Sequence, residues 1–225
     1  MTTNFENKAQ LGSGIYTVPD IARLLNIPNY KANRWLKYWN KWLGEKFHES
    51  YSWEIGNSKA VNFRALVEFY VFYQFAEAGV NTKEILKTHE VLSAKFHTKV
   101  PFADARIIKR LNSDGSKVFI KAKSGPLVVL DGSDQSAFGF IKTFFKKLDF
   151  DGPVASRLWP MGKNKSIVCD PKRQFGQPVI DNTNIFPETI YQLHLGGETN
   201  KMIAALYDLS IKQVNNAIEF AKLAA

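Results

Sequence analysis

The chain has 225 residues, a formal net charge of +9 and 45% hydrophobic residues, enough to build two or three small cores. Cys169 is the single cysteine, which excludes an intrachain disulfide framework and fits a reducing compartment. No uncharged apolar run approaches the length of a membrane span, and the opening MTTNFENKAQ has no apolar core of a signal peptide, so a cytoplasmic protein is expected.

The basic excess favours polyanionic partners. It is unevenly spread. Residues 1–110 carry 16 Lys/Arg against 10 Asp/Glu, residues 111–169 carry 9 against 5, and residues 170–225 carry 5 against 6. This asymmetry separates two helical motifs that otherwise look alike.

The first motif spans residues 17–42. Thr17 and Asp20 have capping-box spacing, and Pro19 is tolerated in a first turn, whose amides have no intrahelical acceptor. Val18, Ile21, Ala22 and Leu25 follow the spacing of one buried helix face. Asn26-Ile27-Pro28-Asn29 breaks that helix, and a second is predicted from about Tyr30, with Ala32, Trp35, Leu36 and Trp39 inward. Its other side carries Tyr30, Asn33, Arg34, Lys37 and Lys41, with Lys31 alongside. A short helix, a tight turn and a second helix with a basic outer face are what major-groove reading requires. Arg and Asn can form bidentate bonds to base edges, while Lys and Tyr can hold phosphates. An ordinary helical hairpin with a solvated charged face is the alternative.

Residues 51–55 and 60–63 flank Gly56-Asn57-Ser58-Lys59 and read as a β-hairpin, a wing whose Lys59 could reach phosphate. Residues 63–78 are apolar almost all round and predict a buried helix, stopped by Gly79. Asn81 and Glu84 cap another helix, marked by Ile85, Leu92 and Phe96. The order of these elements over residues 15–97, carried by YTVPDIARLLNIPNYKANRWLKYW, the hairpin and RALVEFYVFYQFAEAGVNTKEILK, resembles the N-terminal domain of MerR-like regulators. That resemblance implies DNA binding, usually as a dimer on a paired operator.

Residues 98–169 change character. Ser113-Asp114-Gly115-Ser116, Ser124-Gly125-Pro126 and Asp131-Gly132-Ser133 are turn signals. Residues 117–121, 127–130 and 166–169 read as short strands, and residues 137–148 as an amphipathic helix with Phe138, Ile141, Phe144, Phe145 and Leu148 inward. MGKNKS at 161–166 lacks the upstream glycine of a phosphate loop. His48, His89, His97 and His194 have no metal-ligand grouping, Cys169 reads as a buried thiol, and Asp149 and Asp151 read as loop residues rather than a catalytic pair. No enzyme, metal or cofactor is expected.

The second motif begins after Asp170. Phe186-Pro187-Glu188 opens a helix that Gly196-Gly197 stops. Thr199 caps the next, with Ile203 and Leu206 inward. Ser210 and Gln213 form a capping box for the last, where Val214, Ala217, Ile218 and Ala221 make the apolar stripe. Lys212, Asn215, Asn216, Glu219 and Lys222 are expected to face outward. Because this segment is slightly acidic, protein binding or dimerisation is favoured over phosphate contact.

The segment of residues 167–222 resembles the family catalogued as domain of unknown function 433. The resemblance is carried by Asp170-Pro171, Phe175-Gly176-Gln177-Pro178-Val179-Ile180, Asn182-Thr183, Ile203-Ala204, Tyr207 and Val214. Where that family has Gly-Thr-Arg-Ile, this chain has Asn182-Thr183-Asn184-Ile185. The resemblance implies a VapB-like antitoxin that represses its own operon and neutralises a PIN-like ribonuclease toxin.

The expected fold class is α+β, mostly helical: a winged helix-turn-helix over residues 1–98, a small β-rich linking domain with one helix over 99–168, and a helix-turn-helix-like antitoxin domain over 169–225. The expected function is a DNA-binding antitoxin, acting as a homodimer on operator DNA and a cognate ribonuclease toxin. A MerR-like transcription regulator without a toxin is the alternative. The DNA-binding residues are taken as Tyr30, Lys31, Asn33, Arg34, Lys37, Lys41 and Lys59; the partner-binding or dimerising residues as Lys212, Asn215, Asn216 and Glu219.

Overall fold

A computed structural model of the chain describes residues 9–47, 50–77, 81–106, 118–120, 128–130 and 143–224. The architecture is α+β and mostly helical. A winged helix-turn-helix comes first, short β-hairpins follow, and a second helix-turn-helix-like unit closes the chain. Among the described residues no helix is long and apolar enough to cross a membrane.

The first motif forms as its spacing predicts. Helix α1, Val18–Leu25, is entered through the Thr17–Asp20 box. The Asp20 carboxylate accepts from the Thr17 amide at 2.9 Å and from its hydroxyl at 2.6 Å. Asn26 ends the helix in the left-handed region at φ 53°, and the Ile27 amide reaches back to the Ala22 carbonyl at 3.0 Å. This six-to-one bond closes a Schellman turn, and the buried Ile27 supplies its apolar contact. Helix α2, Asn29–Phe47, then buries Ala32, Leu36, Trp39 and Leu43 along one face. Trp35 is only half-buried.

The wing is a three-stranded antiparallel sheet in the order β1-β3-β2, from β1 Tyr16–Thr17, β2 Trp53–Ile55 and β3 Ser58–Val61. Gly56 turns the hairpin at φ 55°, where a side chain would be strained. Helix α3, Phe63–Glu77, is buried on all sides because it has neighbours on all sides. Phe69 meets Trp39 of α2 at 5.8 Å, Phe72 meets Trp42 at 6.2 Å, Phe75 meets Phe102 at 5.9 Å, and Tyr70 meets Phe144 at 3.9 Å between ring centroids. The Gly79 stop lies outside the described residues. Asn81 caps α4, Thr82–Phe96, by accepting from the Lys83 amide at 2.9 Å.

In the middle of the chain, β4 Val118–Ile120 pairs antiparallel with β5 Val128–Leu130. The turn signals at 113–116, 124–126 and 131–133, and most of the helix expected over 137–148, lie outside the described residues. Residues 143–146 are helical, but Leu148 is not. It opens a hairpin, β6 Leu148–Asp151 with β7 Val154–Leu158, turned at Gly152 (φ 60°). Asp149 and Asp151 are therefore strand residues rather than loop. The Asp149 carboxylate accepts from the Trp159 indole N–H at 2.8 Å and the Lys163 ammonium at 2.6 Å.

Strand β8 Ile167–Val168 pairs with β9 Val179–Ile180, and Cys169 bridges back to Leu158. Cys169 is fully buried, and burial pushes its thiol well above the ordinary range. Three helices follow: α5 Pro187–Leu195, α6 Asn200–Tyr207 and α7 Ile211–Ala224. The α6–turn–α7 unit repeats the construction of α1–turn–α2. Asp208 is left-handed at φ 52°, the Leu209 amide returns to the Ala204 carbonyl at 2.9 Å, and Leu209 is buried as Ile27 is. Leu206 departs from its expected inward place. It is 66% exposed, while Ile203 and Ala204 of the same helix meet the core.

The two helix-turn-helix units share an interface. The Ile15 amide donates to the Phe175 carbonyl at 2.8 Å, and the Gln177 side chain donates to the Ile15 carbonyl at 3.0 Å. Gly176, at φ 84°, lies so close to Tyr16 that a Cβ there would stand 2.3 Å from the Tyr16 hydroxyl oxygen. Arg23 of α1 pairs with Glu188 of α5 at 2.5 Å and stacks over Phe220 of α7 at 5.6 Å.

Candidate nucleic-acid interface

Helix α2 presents the basic face. Between Asn29 and Gly44 it carries four cations and no acidic residue. Asn33, Arg34, Lys37 and Lys41 are exposed and recur at three- and four-residue steps, so they share one side of the helix, opposite the core stripe of Leu36, Trp39 and Leu43. Tyr30 stands at the head of that side, 67% exposed. No ion pair occupies Arg34, Lys37 or Lys41 among the described residues.

Lys31 is placed differently. Its ammonium is bonded to Glu77 at the end of α3, and the Trp35 indole donates to the same carboxylate at 3.2 Å. Burial works to raise the Glu77 carboxyl, but the bonds from Lys31 and Trp35 outweigh it and hold the group below its ordinary value. The same bond raises the Lys31 ammonium. Lys31 therefore fixes the first turn of α2 against α3, and it would have to leave Glu77 to meet a phosphate.

Lys59 lies on β3 beside the turn rather than at its tip, directly across from Glu54 on β2, and is half-buried. A second stripe on α2 was not singled out by the periodicity. Tyr38 stacks on Trp42 at 5.5 Å and 24°, with Trp35 at 6.1 Å from Tyr38. Its residues recur at 35, 38 and 42, a helical spacing hidden beside the stronger core stripe.

In the second unit, Lys212 and Asn215 are exposed, and Asn215 accepts from the Asn200 side chain at 2.8 Å. Glu219 is exposed but ion-paired with Lys165 at 2.6 Å. Asn216 does not face outward as expected. It is buried and donates to the Ser166 hydroxyl at 3.3 Å, because α7 packs on the residues entering β8 and that position falls on the packed side. Position 216 is polar in a mostly apolar stripe, which hid its inward orientation. Among the described residues no group of three or more His, Cys, Asp and Glu could hold a metal ion.

Fold and surface together define a winged helix-turn-helix protein with a second helix-turn-helix-like domain on its C-terminal side. Residues 167–221 match the family described as "Protein of unknown function (DUF433)". The chain is also similar to the uncharacterized protein Rv2308 of Mycobacterium tuberculosis, 43% identical over 56 residues, which is 25% of this chain and 24% of that one. The match thus spans about a quarter of the relative's length. Among solved structures, the crystal structure of Rv2018 from Mycobacterium tuberculosis superposes with a TM-score of 0.61 at 21% identity. It covers 93% of this chain and 100% of that one, a likeness of fold.

Proposed function

We propose that the chain is a DNA-binding antitoxin that represses its own operon and neutralises a PIN-like ribonuclease. The observation that carries the DNA-binding part is the exposed basic face of α2, where Arg34, Lys37 and Lys41 make no ion pair among the described residues, in a unit that also folds a wing. In this reading a homodimer lays two α2 helices into successive major grooves, as MerR-like regulators do. Asn33 and Arg34 meet base edges, Tyr30, Lys37 and Lys41 hold the backbone, and Lys31 positions the helix through Glu77. A helix of this diameter fits the major groove, and its cations release condensed counterions on binding.

The DUF433 match supports the antitoxin part through the resemblance of that family to VapB-like antitoxins. Lys212 and Asn215, with the exposed apolar Met202 and Leu206, would face the toxin or a second copy. The alternative is a regulator with no toxin. Co-expression with the product of the neighbouring gene tests both parts together. The proposal expects a stable complex, loss of ribonuclease activity, and binding of that complex to DNA upstream of the gene. DNA binding without capture or inhibition of the neighbouring product would leave the regulator alone standing.

A further inference from the structure

A cavity of about 610 Å³ lies at the junction of the two helix-turn-helix units. One wall is the turn of the first unit, from Leu24 to Ile27. Phe220 of α7 and the side chains of Tyr70, Phe144 and Leu158 also line the cavity. The volume falls within the range of small-molecule sites, and part of the lining is apolar and aromatic beside polar and charged groups, as such sites usually are.

The charges around the cavity are nearly all matched. Arg23 pairs with Glu188, Lys165 with Glu219, and Glu77 with Lys31. Lys147 is the exception. Its ammonium is half-buried and donates to the Pro160 carbonyl at 2.8 Å, with no carboxylate partner among the described residues. Burial lowers its proton affinity, as it does for any partly desolvated cation.

We propose that this cavity binds a small amphiphilic anion, whose aromatic or apolar body of about two fused rings lies on Tyr70, Phe144 and Leu158 while its carboxylate meets Lys147. An anion supplies a counter-charge that Lys147 does not find among the described residues, and a charge-assisted bond in a shielded place is stronger than at an open surface. The occupant would press on the Asn26-Ile27 turn that sets the angle between α1 and α2. The proposal does not depend on DNA binding, and its test contains no nucleic acid.

The probe is 1-naphthoate, titrated calorimetrically into the full chain beside its neutral isostere 1-naphthamide. Saturable binding at one site per chain is expected, with about tenfold weaker binding of the amide, the loss of one charged hydrogen bond. Lys147→Met, which keeps the apolar stem, should weaken naphthoate by about the same factor and leave the amide unchanged. Lys146→Met, one position away on the exposed side, should change neither. No saturable binding, or equal affinity for acid and amide in the wild type, would overturn the proposal without need of any variant. An undiminished affinity in folded Lys147→Met would overturn the role of that residue.

Discussion

Replacing Trp39 by alanine is expected to lower the unfolding free energy by about 3–5 kcal/mol, the range for deleting a large buried aromatic. Trp39 is 0% exposed. Its ring meets Tyr51 edge-on at 5.1 Å and Phe69 at 5.8 Å, so one side chain joins α2, the approach to the wing and α3. A loss of that size is a large part of the stability of an ordinary domain. Urea unfolding should show a lower midpoint with an unchanged slope. Trp39→Phe should cost far less. It retains most of the apolar contact and removes an indole N–H that has no hydrogen-bond partner among the described residues. A midpoint nearly unchanged in Trp39→Ala would mean that α2 is not held by this contact.

The second large effect is expected at Glu68. This carboxylate is fully buried in α3. It stands 2.9 Å from the His89 ring nitrogen Nε2 and accepts the Ala103 amide at 3.0 Å, tying α4 and the 3₁₀ turn Pro101–Ala103 to the helix. Glu68→Leu takes away the group that both face, and breaking a buried pair from one side costs about 3–5 kcal/mol. The pH dependence has a definite sign. Burial raises the Glu68 carboxyl above its ordinary value of 4.5, and the bonds from His89 and from the Ala103 and Phe102 amides reduce that rise without cancelling it. The folded state therefore holds the proton more tightly than the unfolded chain. The resulting stability is fully present below pH 4.5 and is lost as pH rises through the folded value. Subtracting the stability curve of Glu68→Gln from that of the wild type should leave a difference that falls as pH rises above 4.5. A flat difference would contradict the assignment.

Much of the first unit was legible because its signals are local. The Thr17–Asp20 box, the Asn81 cap and, in the second unit, the Ser210–Gln213 box are each written within four residues and each forms a bond of the expected kind, and α1 ends at Asn26 where its break is written. Features that depend on distant partners were hidden. Strand β1 is two residues long and exists because Tyr16 finds Val61. Leu148 continues a helical pattern in sequence, yet pairs with Leu158 as a strand. Tertiary pairing overrides local preference there. The candidate site divides in the same way. The exposure of Asn33, Arg34, Lys37 and Lys41 follows from helical spacing. The capture of Lys31 by Glu77, 46 residues away, does not. Gly176 in the DUF433 stretch has a physical reason invisible in its own segment: the ring of Tyr16 fills the space where its side chain would be.

The central claim is that the outer face of α2 reads DNA, and one titration addresses it most directly. Wild-type protein and Arg34→Ala are titrated against the DNA upstream of the gene and against random DNA, at several salt concentrations. A base-reading arginine should cost about 1–3 kcal/mol on the specific site and little on random DNA, with binding weakening steeply as salt rises. Equal, weak binding of both proteins to both DNAs would contradict the claim and leave α2 as a generic basic surface.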